Sequence, residues 1–165
     1  MLLFRAIALS TLLVMLASCG FQPLYGRQTQ NAKVTAALEQ TYVLPMAGRT
    51  GQIVRNSLLD KVTPKGVPAR AKYQLQVSLS ELKQGLAIDQ SNSTNRFNLT
   101  LKAKYTLFDA TGKQPIYRGS AQSVSSYNIV DSDFANLAAE KNAQKRSALV
   151  ISEEIHRQLS VFLSR

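Results

Sequence analysis

The cleanest pattern in the chain is a strict alternation. Phe97, Leu99, Leu101, Ala103, Tyr105 and Leu107 are apolar or aromatic, and Arg96, Asn98, Thr100, Lys102, Lys104 and Thr106 stand between them. Side chains on a strand point alternately to its two faces, so this stretch predicts a long strand with one buried and one wetted side. Tyr73, Leu75, Val77 and Leu79 alternate with Gln74, Gln76, Ser78 and Ser80 in the same way and predict a second strand. At Glu81-Leu82 the phase slips by one, so that Leu82, Leu86 and Ile88 become the apolar positions, and a bulge or a strand end is the simplest expectation there. Polar residues from Asp89 to Asn95 predict a loop and Asp109 to Gly112 a turn. Ile116 to Tyr127 reads as a weaker strand, whose Gly119 and many serines mark an edge or a twisted element.

Helical spacing brackets these strands. Val54, Leu58 and Val62 recur every four residues after Thr50, which can cap the run, and Pro64 with Gly66 stops it. Ahead of that helix, Tyr42-Val43-Leu44 reads as a short strand ending at Pro45, and Gly48 to Gly51 as the turn between the two. The last element starts near Asp131 to Asp133, acids that complement the positive end of a helix dipole. It carries Phe134, Leu137, Ala138, Ala148, Leu149, Ile155, Leu159, Phe162 and Leu163 in one broad stripe that needs a partner surface. Strand, helix, three strands without a crossover, and helix together predict an α+β two-layer sandwich. Its two helices pack on one face of a mostly antiparallel four-stranded sheet whose other face stays polar.

The beginning of the chain has a different character. Arg5, an apolar run from Ala6 to Leu16 and small residues before Cys19 have the layout of a secretory signal. That run falls short of the roughly 20 apolar residues a membrane span requires. Leu16-Ala17-Ser18-Cys19 resembles the lipobox of bacterial lipoproteins, in which the cysteine is lipidated and becomes the new N-terminus. The single Cys of the chain stands at that point and has no thiol to pair with. An ordinary signal with a chance cysteine is the rival reading. Gly20, where the lipobox pattern has Asp for inner-membrane retention, favours the outer membrane. Each buried acyl methylene contributes about 0.8 kcal/mol, so several chains on Cys19 anchor durably. The expected organisation is a lipoprotein signal over residues 1–18, a lipidated tether over 19–32, where Gln, Gly and Pro break any period, and one domain over 33–165.

Composition narrows the partners. Without residues 1–18 and their Arg5 the chain keeps 19 basic and 10 acidic residues over 147 positions, a net charge of +9 that favours anionic partners. Export turns that preference from nucleic acid, which is not expected as a partner, to lipid head groups, above all the phosphates of lipid A. Reactive side chains are scarce. His156 is the one imidazole, Glu153 and Glu154 face different directions on a helix, and neither a metal cluster, a cofactor-binding loop nor a nucleophile pair can be assembled. A hydrolase built on a serine and His156 is therefore the weakest of the readings. Arg96, Lys102 and Lys104 share the outward face of one strand with no acid between them, which is either a plain solvated face or a surface for an anionic partner. Lys141 and Lys145 fall within the apolar stripe of the last helix. They either snorkel or offer their ammonium groups to a phosphate where the helix overhangs the sheet.

These features together resemble the lipopolysaccharide-assembly lipoprotein family LptE in its alphaproteobacterial form. The carrying residues are Cys19-Gly20-Phe21-Gln22-Pro23-Leu24-Tyr25-Gly26, then Gly48-Arg49-Thr50-Gly51-Gln52 with Arg55-Asn56, and Tyr73 to Leu79. Thr94 to Arg96, Ala103 to Leu107, Ser126-Tyr127, Phe134-Ala135, Glu140 and Arg146 follow in order. The resemblance implies two helices on a four-stranded sheet and a non-enzymatic protein at the outer membrane. It implies a one-to-one place inside the LptD barrel as plug and assembly aid, and binding of lipopolysaccharide on its way to the cell surface. The rival is a free-standing lipoprotein that binds an anionic or hydrophobic ligand without a barrel.

Overall fold

The computed structural model describes residues 28–88 and 94–165; Cys19, the expected signal and most of the expected tether lie outside the described residues. In chain order the elements are α1 (Gln28–Glu39), β1 (Thr41–Val43), α2 (Gly48–Val62), β2 (Tyr73–Ile88), β3 (Thr94–Asp109), β4 (Pro115–Asn128) and α3 (Asp133–Leu163). The sheet order is β1-β2-β3-β4. β1 runs parallel to β2, with α2 as the crossover that a parallel pair requires, and the other two pairings are antiparallel. The predicted α+β architecture, two helices against one face of a mostly antiparallel four-stranded sheet, is the one found.

β3 is the central strand. It pairs with β2 from Tyr73↔Asp109 to Gly85↔Phe97 and with β4 from Arg96↔Asn128 to Leu107↔Tyr117. Its inward side chains Leu99, Leu101, Ala103, Tyr105 and Leu107 are buried beside Leu75 of β2. Val54, Leu58 and Val62 of α2 and Ala143, Ala148, Ile151, Ile155 and Leu159 of α3 close over them. Each buried Leu or Ile side chain contributes about 1.5–3 kcal/mol relative to exposure, so the core rests on these two helices. The helices meet through small residues: Ser57 Oγ and Ser152 Oγ lie 2.6 Å apart, and Ser147 Oγ donates to Ser125 Oγ of β4 at 2.8 Å.

Five local expectations differ from the structure. The lead-in read as irregular to Ala32 becomes helical at Gln28, and Val34 and Leu38 of α1 pack onto the core although no clear period announces them. α2 starts at Gly48, whose φ of 75° turns the chain into the helix; its cap is Ala47, which makes no side-chain capping bond, and Thr50 lies inside the first turn. The phase slip at Glu81-Leu82 is neither a bulge nor a strand end. Pairing with β3 continues regularly to Gly85, so Leu82 is forced onto the polar face, 60% exposed, and the irregularity falls between Gly85 and Ile88. Of the loop expected over Asp89 to Asn95, Thr94 and Asn95 belong to β3 and the rest lies outside the described residues. Finally, the apolar stripe of the last helix is not wholly buried. Phe134 is 83% and Leu137 49% exposed, because full burial along this helix begins only at Ala143, with Ala139 partly buried against the core before it.

The start of α3 and the β3–β4 turn follow the sequence. Ser132 accepts from the Ala135 amide, Asp133 occupies the first turn, and Asp109 collects Thr111 Oγ1 at 2.8 Å while Gly112 adopts φ 70°. Gly119 has a different reason. The Tyr105 ring lies over it, held by a 2.5 Å bond from its hydroxyl to Gln158 Oε1, and a Cβ added at Gly119 would overlap that ring. Gly119→Ala is therefore expected to cost about 1–3 kcal/mol through overpacking, read as a melting temperature lowered by several degrees. Leu58→Ala is expected to cost about 2–5 kcal/mol. An unchanged melt for either variant would contradict the packing described.

Candidate functional site

The register of the three long strands decides which polar side chains share the face away from the helices. Lys104 stands between Ser78 and Ser120, Lys102 between Ser80 and Gln122, and Thr106 between Gln76 and Arg118. Arg96 pairs with Asn128 and donates from Nε to Asn128 Oδ1 at 3.0 Å. Among the described residues, no acidic side chain occupies this face. Its four cations therefore reinforce one another, and none has an ion-pair partner among the described residues. The predicted trio Arg96, Lys102 and Lys104 is brought onto one surface, and Arg118 joins it. Arg118 is legible only once the weak fourth strand is in register, since its even-numbered neighbours Ser120, Gln122 and Ser126 mark the same outward parity.

The face is not uniformly polar. Leu82, Thr100 and Val124 form one cross-strand row, with Leu82 and Val124 60% and 53% exposed, and Leu86 further along β2 is exposed as well. An apolar row beside unpaired cations is chemically suited to an anionic amphiphile. Hydrogen bonds to a charged phosphate are the stronger kind, and the aliphatic row can take apolar surface. Lys141 and Lys145 lie elsewhere: both are exposed on α3, on the helix side of the sheet, and do not join the cluster.

The helix side carries several ion pairs. Lys83 of β2 pairs with Glu140 of α3, a contact that holds the lysine proton more tightly, and Gln144 donates to Glu81 at 3.0 Å. Lys61 pairs with Glu153, and Arg157 grips Glu154 through two bonds at 2.9 and 2.6 Å. Glu153 and Glu154 thus serve separate partners. His156 is half-buried, and burial pushes its pKa down. No hydrogen bond joins its ring to a serine hydroxyl among the described residues. Between β4 and the end of α3, Tyr117 stacks on Phe162 with ring centres 4.6 Å apart, beside a shallow cleft of about 140 Å³ also lined by Arg157, Gln158, Val161 and Arg165. Among the described residues no three His, Cys, Asp or Glu side chains converge, and no helix is long and apolar enough to cross a membrane.

The two-layer α+β fold of this domain is found in several bacterial lipoproteins. A Caulobacter crescentus CB15 protein described as a lipoprotein superimposes with a TM-score of 0.67 at 24% identity, covering 81% of this chain and 97% of that one. A minor lipoprotein from Acinetobacter baumannii follows at 0.59 and 20% identity, covering 75% and 92% of the two chains. Rare lipoprotein B from Shewanella oneidensis matches at 0.55 and 12% identity, covering 74% and 92%. Among curated proteins none matches by sequence. Residues 31–160 match the family LptE, lipopolysaccharide-assembly, and the chain belongs to that family, whose members are non-enzymatic assembly lipoproteins.

The Glu154 contacts yield a pH test. Arg157, then Gln158, hold its carboxyl down to about 2 from an ordinary 4.5. A depressed carboxylate stabilises the fold fully above its unfolded pKa and loses that contribution as pH falls through the folded value. Glu154→Gln should therefore melt slightly below the parent at neutral pH, the effect being limited by solvent screening. The gap should narrow below about pH 4.5 and close near pH 2; a gap that does not change with pH would contradict the assignment.

Proposed function

We propose that this protein is an outer-membrane lipoprotein that plugs and helps assemble the LptD barrel, one to one, and binds lipopolysaccharide during its transport to the cell surface. The observation that carries the reading is the acid-free sheet face with Arg96, Lys102, Lys104 and Arg118 beside the Leu82–Val124 row, in a chain of the LptE family. Barrel lumens are polar, and an occupant must meet them with hydrogen-bonding side chains, which Gln74, Gln76, Asn98, Thr100 and Gln122 supply. The cations offer the lipid A phosphates charge-assisted bonds that compete with those holding lipopolysaccharide aggregates together. In this reading no bond is made or broken. The protein works by occupancy, templating and exchange of ionic contacts.

Cys19 is proposed as the lipidated residue, tethering the domain to the periplasm-facing leaflet of the outer membrane. Several acyl chains suffice for this without a spanning helix. Lys141 and Lys145 remain proposed contacts on the helix side, distinct from the sheet-face cluster.

Three measurements test the proposal. Depletion should lower the folded, heat-modifiable barrel in the outer membrane, and normal barrel levels would refute the plug. Lys102→Glu combined with Lys104→Glu should weaken lipopolysaccharide binding at least about tenfold, since charged hydrogen bonds contribute about 1.5–3 kcal/mol each; undiminished binding would reject the sheet face as the contact. Extraction in detergent should yield the one-to-one complex with the barrel, whereas a free-standing lipoprotein would emerge alone.

A further inference from the structure

Two unpartnered features lie side by side on the helix layer. β1 ends at Val43, so β2 is paired on that side only from Tyr73 to Leu75. From Gln76 to Leu86 its outer edge has no strand beside it among the described residues, which leaves a row of backbone donors and acceptors without sheet partners. The second feature comes from unequal helix lengths. α2 has 15 residues and α3 has 31, roughly 22 and 46 Å at 1.5 Å per residue. α2 meets the second half of α3, at Ser152 and Glu153, and leaves the first half uncovered on that side.

The uncovered half of α3 stands next to the unpaired edge of β2. Lys83 reaches Glu140 and Glu81 reaches Gln144, which ties these two stretches together. Leu137, Lys141 and Lys145 recur at four-residue spacing along one helix face, all three exposed, while Val77 and Leu79 are half-buried below. Of the charges that β2 brings to this gap, Lys83 is paired with Glu140, and Glu81 accepts from the neutral amide of Gln144. Neither Lys141 nor Lys145 has an acidic partner among the described residues.

We infer that the β2 edge from Gln76 to Leu86 accepts an extended segment of a partner protein as a fifth strand, continuing the line of β1. The guest carries apolar and acidic residues on its inward-pointing alternate positions. An added strand satisfies the free backbone groups. Its inward side chains enter the gap that α2 leaves, where Leu137, Val77 and Leu79 receive apolar groups and Lys141 and Lys145 receive carboxylates. The opposite edge, β4, offers no such gap, because α3 already packs over Ala121, Ser123 and Tyr127 there, and it begins with Pro115, which cannot donate. This surface is separate from the lipopolysaccharide-binding sheet face, and its test needs neither lipopolysaccharide nor the barrel.

The probe is a capped ten-residue peptide that alternates threonine with valine and places two glutamates in the valine series. Titrated into the full-length protein, it should slow amide exchange within Gln76–Leu86 and leave β4 unchanged. Replacing the glutamates with lysines should weaken binding at least about tenfold, which is about 1.4 kcal/mol. Lys141→Gln with Lys145→Gln should erase that difference. A peptide methylated on alternate backbone nitrogens should not bind, a control that leaves the protein intact. No protection at β2, protection at β4 instead, or equal binding of the methylated peptide would each overturn the inference. So would phosphatidylglycerol vesicles protecting the same amides as well as the peptide does, which would assign the edge to a lipid surface.

Discussion

The central position of β3, hydrogen-bonded along both edges, is the constraint on which the rest of the structure depends. Its side chains alternate without interruption, and a one-residue slip of either neighbour would carry leucines into water and polar groups into the core. β2 and β4 therefore take the parity that β3 dictates, even where their own sequences disagree. Leu82 is the visible cost. It stays in register opposite Thr100 and becomes an exposed aliphatic residue, rather than breaking the ladder to reach the dry side. The same parity gathers Lys102, Lys104 and Arg118 from two strands onto one surface.

How much of this was legible follows from where the physics is local. The β3 alternation, the Asp109–Gly112 turn and the four-residue spacing of Val54, Leu58 and Val62 are short-range signals, and the mostly antiparallel sheet with its two covering helices follows from them. The basic trio was likewise readable from β3 alone. What the sequence could not reveal depends on neighbours distant in the chain. Whether Leu82 faces in or out is decided by pairing with Thr100, and whether Phe134 and Leu137 are covered is decided by how far α2 extends. α1 was missed because its mixed Gln, Asn, Thr and Ala composition has no clear stripe; only Val34 and Leu38 touch the core.

The two layers also differ in how their charges are managed. On the helix side, Lys83, Lys61 and Arg157 each have a carboxylate, while Lys141 and Lys145 are among the cations that have none among the described residues. On the sheet side there are cations and, among the described residues, no acids. A domain that segregates its surfaces in this way presents a one-signed field on its sheet side and locally neutralised pairs on its helix side.

The contribution of α3 to the core has a consequence for how the chain matures. Ile151, Ile155 and Leu159, all fully buried, come from its last fifteen residues, and they seal the same layer as Leu75 and Leu99. Until that terminal stretch is in place, the hairpins of the sheet have mainly α2 to cover their apolar side. A truncation near Arg146 would thus abolish the domain instead of shortening it.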